Sequence, residues 1–124
     1  MRIKLVFPPS RWMKKGIYCR HDRLPPLGMA ICTSYLRSKG IYTDQDDLDI
    51  KVFASEEVSL NEAFTDQKID SFLKGNVCEE IENQFEKAAS LTVFNNLDAI
   101  GLSLSRDIKL ALCFAKYLKK NLDI

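Results

Sequence analysis

The order in which strand-like and helix-like segments follow one another constrains the fold more than any other feature. An apolar segment at residues 2–7 stops at Pro8 and Pro9, and further strand-like segments begin at Ile41 and Asp98. Helical patterns fill the intervals between these segments and follow the last one. Strands that alternate with helices form parallel sheets with helical crossovers. The sequence therefore predicts an α/β fold.

The polarity of the second strand-like segment predicts where it lies in the sheet. Residues 41–48 begin with Ile41 and Tyr42 but then become very polar. A central parallel strand is almost continuously hydrophobic, whereas an edge strand tolerates polar residues. Right-handed crossovers place this segment at the edge of a sheet of order 2-1-3. We therefore expect a Rossmann-like (flavodoxin-like) three-layer fold with a partial parallel sheet.

The helical patterns predict which residues face the core. The first helix is expected from about Pro26 to Lys39, and the last from Ile108 to Lys120. Residues 55–94 are helical with interruptions, with Thr65 as a cap. Apolar residues at helical spacing predict one stripe in each terminal helix. In the first helix it comprises Leu27, Ala30, Ile31 and Tyr35, widened by Met29, Cys32 and Leu36, and in the last helix Ile108, Ala111, Leu112, Ala115 and Leu118.

Three strands are few for such a sheet, and the outer edge of the third strand would be open. We expect residues 1–124 to form a single, truncated domain, or a second copy to cover this edge as a homodimer. The composition excludes other classes, because no apolar run approaches the roughly 20 residues of a membrane helix. The apolar part of the N-terminus is too short for a signal peptide. We expect a cytoplasmic protein with neither a membrane nor a nucleic-acid partner.

The distribution of charge and the spacing of the cysteines indicate which kinds of ligand the chain could bind. Residues 1–40 carry nine basic side chains and one acidic side chain, whereas the remaining 84 carry nine basic and sixteen acidic ones. A basic N-terminal third can attract an anionic ligand, although uneven halves also fold into mixed surfaces. The four cysteines have neither CxxC nor iron–sulfur spacing, and Cys32 and Cys113 lie in apolar helical patterns. These patterns predict no metal site.

Position in the fold suggests where a ligand binds. The sequence contains neither a Gly-x-Gly-x-x-Gly motif after the first strand nor a Gly-Lys-Ser/Thr loop. Ligands of open parallel sheets bind outside the carboxyl ends of the strands, where strand order reverses. With the order 2-1-3, that point lies between the first and third strands. A long basic loop, residues 8–25, and the turn at Ser103–Arg106 both open there.

Several polar residues near this point have two interpretations each. Ser105 could bind an anion or only cap the last helix. His21 could ligate a metal or lie in solvent beside Asp22. Trp12 and Tyr18 could stack on a flat ligand or fold back on the core. Asp46, Asp47 and Asp49 could contact a ribose hydroxyl or form a solvated edge.

Several segments resemble the N-terminal cobalamin-binding-type domain of radical S-adenosylmethionine enzymes, the class that includes the anaerobic magnesium-protoporphyrin monomethyl ester cyclases. These segments are Phe7-Pro8-Pro9, Leu24-Pro25-Pro26-Leu27-Gly28-Met29-Ala30, Tyr35-Leu36-Arg37-Ser38-Lys39-Gly40, Asp47-Leu48-Asp49 and Asp98-Ala99-Ile100-Gly101-Leu102-Ser103. The resemblance implies that cobalamin is a possible cofactor. Together with the position argument, it implies cofactor binding by Pro9, Ser10, Pro26, Leu27, Gly28, Ser103 and Ser105.

The sequence also departs from that family. It lacks the CxxxCxxC ligands of the [4Fe–4S] cluster, and His21 does not have the spacing of the cobalt-ligating Asp-x-His-x-x-Gly motif. The resemblance therefore implies a domain that is not catalytic alone. S-adenosylmethionine and the iron–sulfur cluster would belong to the radical SAM barrel of a parent polypeptide, which would be its partner.

The predicted function is that of an accessory domain, which binds cobalamin or covers the catalytic barrel. One alternative is a stand-alone interaction or dimerisation module without a small ligand. Another is a regulator that binds a small anion or nucleotide through the basic loop, with Arg20 and Arg23 as the candidate contacts.

Overall fold

The fold was determined as a computed structural model that describes residues 1–11, 26–55, 57, 58, 60, 64–104 and 107–124. The sequence predictions for Trp12, Tyr18, Arg20, His21, Arg23 and Ser105 lie outside these residues. The strands are β1 (Arg2–Phe7), β2 (Tyr42–Asp47) and β3 (Ala99–Leu102). The helices of the described residues are α1 (Leu27–Ser38), α2 (Leu48–Ala54), α3 (Asp66–Leu73), α4 (Glu79–Ala89) and α5 (Ile108–Asn121).

The three strands form an open, all-parallel sheet in the order β2-β1-β3. In the register of the sheet, Lys4 of β1 lies between Asp44 of β2 and Ile100 of β3. The α/β fold is thus a small Rossmann-like fold, and the predicted order 2-1-3 is confirmed. The edge position of the polar second strand is confirmed with it.

The two faces of the sheet are covered differently. Side chains alternate along a strand, so Val6 and its neighbours Ile100 and Leu102 point to one face and Leu5 and Gly101 to the other. We call these the core face and the α1 face. On the core face, Val6 belongs to one hydrophobic cluster with residues of α2, α3, α4 and α5. On the other face, α1 lies over β1 and β2.

The aromatic residues of the core gather around Phe85 of α4. The Phe85 ring is fully buried, and its centroid lies 4.9 Å from that of Phe64 and 5.2 Å from that of Phe114. Tyr117 and Phe72 complete the group at 5.6 and 6.4 Å. These tilted ring pairs are among the arrangements that aromatic side chains prefer. The main hydrophobic core therefore lies between the helices that follow β2 and the helix that follows β3.

The predicted stripe of α1 was wrong in part. Leu27, Ile31 and Tyr35 are 70%, 61% and 62% exposed, whereas the buried residues of α1 are Met29, which the stripe included, and Thr33. The reason lies in β2, which presents polar side chains to the helix: the Thr33 hydroxyl lies 2.9 Å from both the Met29 carbonyl and Gln45 Oε1. A polar strand packs best against the polar side of α1, and this arrangement leaves the apolar stripe outside.

The predicted stripe of α5 was wrong in part. Ala111 and Leu118 are buried as expected, but Ile108 and Leu112 are 53% and 47% exposed. The buried side of α5 instead adds Leu110, Cys113 and Phe114. In the middle of the chain, Thr65 caps α3 as predicted, since its side chain accepts a hydrogen bond from the Lys68 N–H. None of the helices in the described residues is long and apolar enough to cross a membrane.

The acidic residues of β2 also have a partner in β1. Lys4 is buried in the middle of β1, and its ammonium group donates a hydrogen bond of 2.8 Å to the Val93 carbonyl. The same group lies 3.6 Å from Asp44 and 3.8 Å from Asp46. A buried ammonium needs such partners, because burial of an unpaired charge is costly. The polarity of β2 therefore has a structural cause besides its place at the edge.

Candidate functional site at the carboxyl edge of the sheet

The carboxyl end of β1 is fixed by hydrogen bonds to α2. Pro8, Pro9 and Ser10 are buried directly after the strand. The Ser10 backbone N–H and hydroxyl both donate to Asp49 Oδ1, at 2.8 and 3.0 Å. Asp49 itself is 4% exposed. These two hydrogen bonds attach the chain after β1 to the first turn of α2.

Arg11, the next residue, links the end of β1 to α3 and α5. Its guanidinium donates to both carboxylate oxygens of Asp107, at 2.8 and 2.9 Å, and to Asp66 at 2.9 Å. It also donates to the Phe64 carbonyl at 3.1 Å. A two-point contact between a guanidinium and a carboxylate is strong and directional. The start of the basic loop is therefore tied to the beginnings of α3 and α5.

The electrostatics of this network favour the charged state. Burial opposes ionisation of Asp107, but the hydrogen bonds and charge of Arg11 outweigh it and lower the pKa of the carboxyl group. The hydrogen bond from Arg11 also lowers the pKa of Asp66. At the end of β2, burial again opposes ionisation, yet the bonds from Lys51 and Thr92 lower the pKa of Asp46. These carboxylates act as structural anions.

A groove opens on the α1 face between α1 and strands β1 and β3. We call it the switch groove, because it lies where the strand order reverses between β1 and β3. It has a volume of about 180 Å³ and a mostly apolar lining formed by Leu5, Gly28, Met29, Cys32, Gly101, Leu102 and Ser103. Its floor depends on Gly101, since a Cβ atom there would come within 2.7 Å of Leu5 Cδ2. A small residue in a strand allows such a close approach.

The structure brings two of the predicted site residues together in the switch groove. Gly28 comes from the first turn of α1, and Ser103 directly follows β3, where its N–H donates to the Val6 carbonyl at 3.1 Å. Pro26 is half-buried before α1, while Leu27 is exposed. Pro9 and Ser10 are buried, with Ser10 on Asp49. The position of Ser105 lies outside the described residues.

The acids at the end of β2 have contacts of their own. Asp46 binds Lys51 and Thr92, and Asp47 accepts a hydrogen bond from the Ile50 N–H at the start of α2. Asp49 holds Ser10. These three carboxylates therefore contact groups of the chain itself, which differs from the solvated edge that the sequence suggested. The contact with a ribose hydroxyl stays a prediction.

The predicted site residues did not include the other five residues that line the groove, which are Leu5, Met29, Cys32, Gly101 and Leu102. The available signal was Gly101 itself, because a glycine inside a buried strand often marks a close approach by another group. Across the described residues, no three His, Cys, Asp or Glu side chains come close enough to hold a metal ion. The arrangement offers shape and apolar contact rather than acid–base chemistry.

Comparisons with protein-family models, with curated proteins and with solved structures found no match. The assignment of a role therefore depends on the groove and on the sequence resemblance.

Proposed function

We propose that this chain is an accessory cofactor-binding domain of the cobalamin type and that its switch groove accepts one arm of the cofactor. The observation that supports the proposal most directly is the meeting of Gly28 and Ser103 in one groove over Gly101. Both were predicted from the sequence, and they come from segments 75 residues apart. The groove lies where ligands of open parallel sheets bind.

The size of the groove determines what can enter it. Pockets that hold a whole drug-sized ligand have roughly 300–1,000 Å³. At about 180 Å³, the switch groove fits a ring-sized group such as the heterocyclic base of the nucleotide arm of cobalamin. The remainder of the cofactor would lie outside the carboxyl ends of β1 and β3. Ser10 and Asp49 are held there by hydrogen bonds to each other, and groups already held in place lose less entropy on binding.

The role of the chain would then be to hold the cofactor for another domain. The residues that line the groove are mainly apolar, so they bind and orient a group without transferring protons. In this proposal, S-adenosylmethionine and the [4Fe–4S] cluster belong to the catalytic radical SAM barrel of the parent polypeptide. The chain alone has no catalytic activity.

Titration with hydroxocobalamin tests the proposal, with Cys32 as an internal probe. Cys32 is exposed and lines the groove, whereas Cys113 is buried. We expect a shift in the cobalamin absorption spectrum, heat of binding in calorimetry, and slower alkylation of Cys32 as the groove fills. Peptide mapping by mass spectrometry separates Cys32 from the other three cysteines.

A groove-filling variant gives the matched comparison. A Cβ atom added at Gly28 meets no atom within 4 Å, so the backbone has room for a side chain there, and we expect the ring of Gly28→Phe to occupy the groove. Ser34→Phe places the same ring at another exposed position of α1. We expect Gly28→Phe to weaken cobalamin binding about tenfold or more and Ser34→Phe to leave it unchanged. Equal affinities of the two variants, or no binding by the wild type at high micromolar concentration, would contradict the proposal.

A further inference from the structure

The two edges of the sheet differ in how they are protected against pairing. β2 carries three aspartates, Asp44, Asp46 and Asp47, and charged side chains on an edge strand oppose pairing with another chain. β3 has the sequence Ala-Ile-Gly-Leu without a charge. Within the described residues, no strand pairs with the outer edge of β3. An uncharged edge of this kind is a template for a further strand.

The surface next to this edge is apolar. Leu104, Ile108 and Leu112 are 61%, 53% and 47% exposed. A cleft of about 150 Å³ lies between β3 and α5, and its lining comprises Ile100, Leu102, Ala115, Leu118, Lys119 and Ile124. We call the outer edge of β3 and these residues the β3 flank. The cleft lies on the core face and the switch groove on the α1 face, and Leu102 is the residue that lines both.

The exposed side of α5 has the spacing of a helix–helix contact. Ile108, Leu112, Ala115 and Lys119 follow one another at intervals of four, three and four residues. This spacing forms the narrow seam by which helices pack at a shallow angle. The seam of a single helix has no partner in the described residues, so its apolar part remains in water.

We propose that the β3 flank binds a second copy of this chain, with the two β3 strands antiparallel about a twofold axis normal to the sheet. This axis keeps each face of the sheet on the same side in both copies, so the seam of α5 meets the same seam of its partner. The interface is then isologous, the commonest kind in soluble oligomers. The two sheets become one sheet of six strands.

Charge supports the antiparallel arrangement. Lys109 and Lys116 of α5 contact α3, through Asp70 at 3.1 Å and the Phe72 carbonyl at 2.7 Å. Of the lysines on α5, Lys119 lies on the seam. Antiparallel seams place Lys119 opposite Ile108 of the partner subunit, so the two ammonium groups are separated. A parallel arrangement would bring them together, which is unfavourable.

The area available agrees with a weak, specific dimer. The exposed large apolar residues of the flank are Leu104, Ile108, Leu112 and Ile124, and each exposes about 100 Å². The two copies together with the strand edges therefore bury about 1,000 Å², near the lower limit for a biological interface. The strand pairing adds backbone hydrogen bonds to this contact. We expect a dissociation constant in the micromolar range.

Sedimentation velocity over low to high micromolar concentrations tests the proposal. We expect the wild type to pass from monomer to dimer. Leu112→Lys places a charge in the seam and should weaken association about tenfold or more. Ile31→Lys is the control, because Ile31 is also an exposed apolar residue, at 61% against 47% for Leu112, but lies on α1. Association with the same constant in Ile31→Lys as in the wild type would support the proposal.

Amide hydrogen exchange locates the contact independently of these variants. We expect the amides of residues 99–102 to exchange more slowly at dimer-forming concentrations and to lose this protection in Leu112→Lys. A wild type that remains monomeric throughout would overturn the proposal. A dimer that Leu112→Lys leaves intact, or that forms without protection of β3, would overturn it as well. Cobalamin titration is a separate readout, so failure of one proposal does not imply failure of the other.

Discussion

Asp107 illustrates how much a single side chain can organise in this protein. Its carboxylate accepts the Leu110 N–H at the start of α5 and also binds the backbone and guanidinium of Arg11. At 4% exposure it is almost removed from water. Loss of one partner of a buried, hydrogen-bonded ion pair costs about 3–5 kcal/mol. The contact therefore stabilises the junction of β1, α3 and α5.

The lowered pKa of Asp107 predicts a stability that depends on pH. A carboxyl group with a lower pKa in the folded state contributes stability above its unfolded pKa of about 4, and this contribution is lost as pH falls through the folded value. Urea unfolding between neutral and strongly acidic pH should show a fall in unfolding free energy below about pH 4. Asp107→Asn should be less stable at neutral pH and should show a smaller fall.

The control for this experiment is Asp70→Asn. Asp70 pairs with Lys109 at 3.1 Å, but both side chains are about half exposed. Surface pairs contribute little stability. We expect the unfolding free energy of Asp70→Asn to depend on pH as that of the wild type does. The prediction for Asp107 fails if Asp107→Asn shows this same dependence.

At the scale of elements, α1 is determined by the strand beneath it. The polar side of the helix, at Thr33, packs on Gln45 of β2, and Arg37 donates a hydrogen bond of 2.8 Å to the Thr43 carbonyl. The apolar stripe of Leu27, Ile31 and Tyr35 points to solvent as a result. A helix with apolar residues on more than one side is oriented by its neighbours rather than by its own periodicity.

Paired substitutions in α1 test this orientation. Ile31→Lys should change the unfolding free energy by no more than about 0.5 kcal/mol, as for other surface positions. Met29→Ala removes a side chain that is 7% exposed and should cost about 2–5 kcal/mol. Chemical denaturation followed by circular dichroism measures both. The opposite ranking would mean that the stripe predicted from the sequence faces the core.

At the scale of the whole molecule, the hydrophobic core lies mainly on one side of the sheet. The buried cluster joins Val6 of β1 to the helices that follow β2 and β3, with Phe85 at the centre of the aromatic group. Burial also raises the pKa of the Cys113 thiol in this cluster to about 11. The helices on the core face therefore supply most of the cohesion of the fold.

Removal of the Phe85 ring tests whether the helices on the core face supply most of the stability. Phe85→Ala should reduce the unfolding free energy by about 3–5 kcal/mol, because the cavity cannot be filled by the surrounding rings. Val77 is 75% exposed, and Val77→Ala should have an effect within about 0.5 kcal/mol. Thermal or urea unfolding gives the comparison. Similar stabilities of the two variants would mean that the aromatic group contributes little.

The order of the elements and the polarity of β2 were sufficient to predict the sheet. Strand order follows from local patterns and from the fixed handedness of crossovers, which do not depend on detailed packing. The same reasoning placed the ligand region at the carboxyl ends of β1 and β3, and two residues predicted there, Gly28 and Ser103, line one groove. These features are encoded in short stretches of sequence.

Only the tertiary structure decided which side of each outer helix is buried. Ile31 and Leu112 have the same local signal as core residues, yet both are exposed. Ile31 is exposed because the polar strand β2 packs against the other side of α1. Likewise, the pairing of Lys4 with the acids of β2 and of Arg11 with Asp107 joins residues far apart in the chain. Local periodicity contains no information about such partners, since burial depends on what the rest of the fold places opposite each side chain.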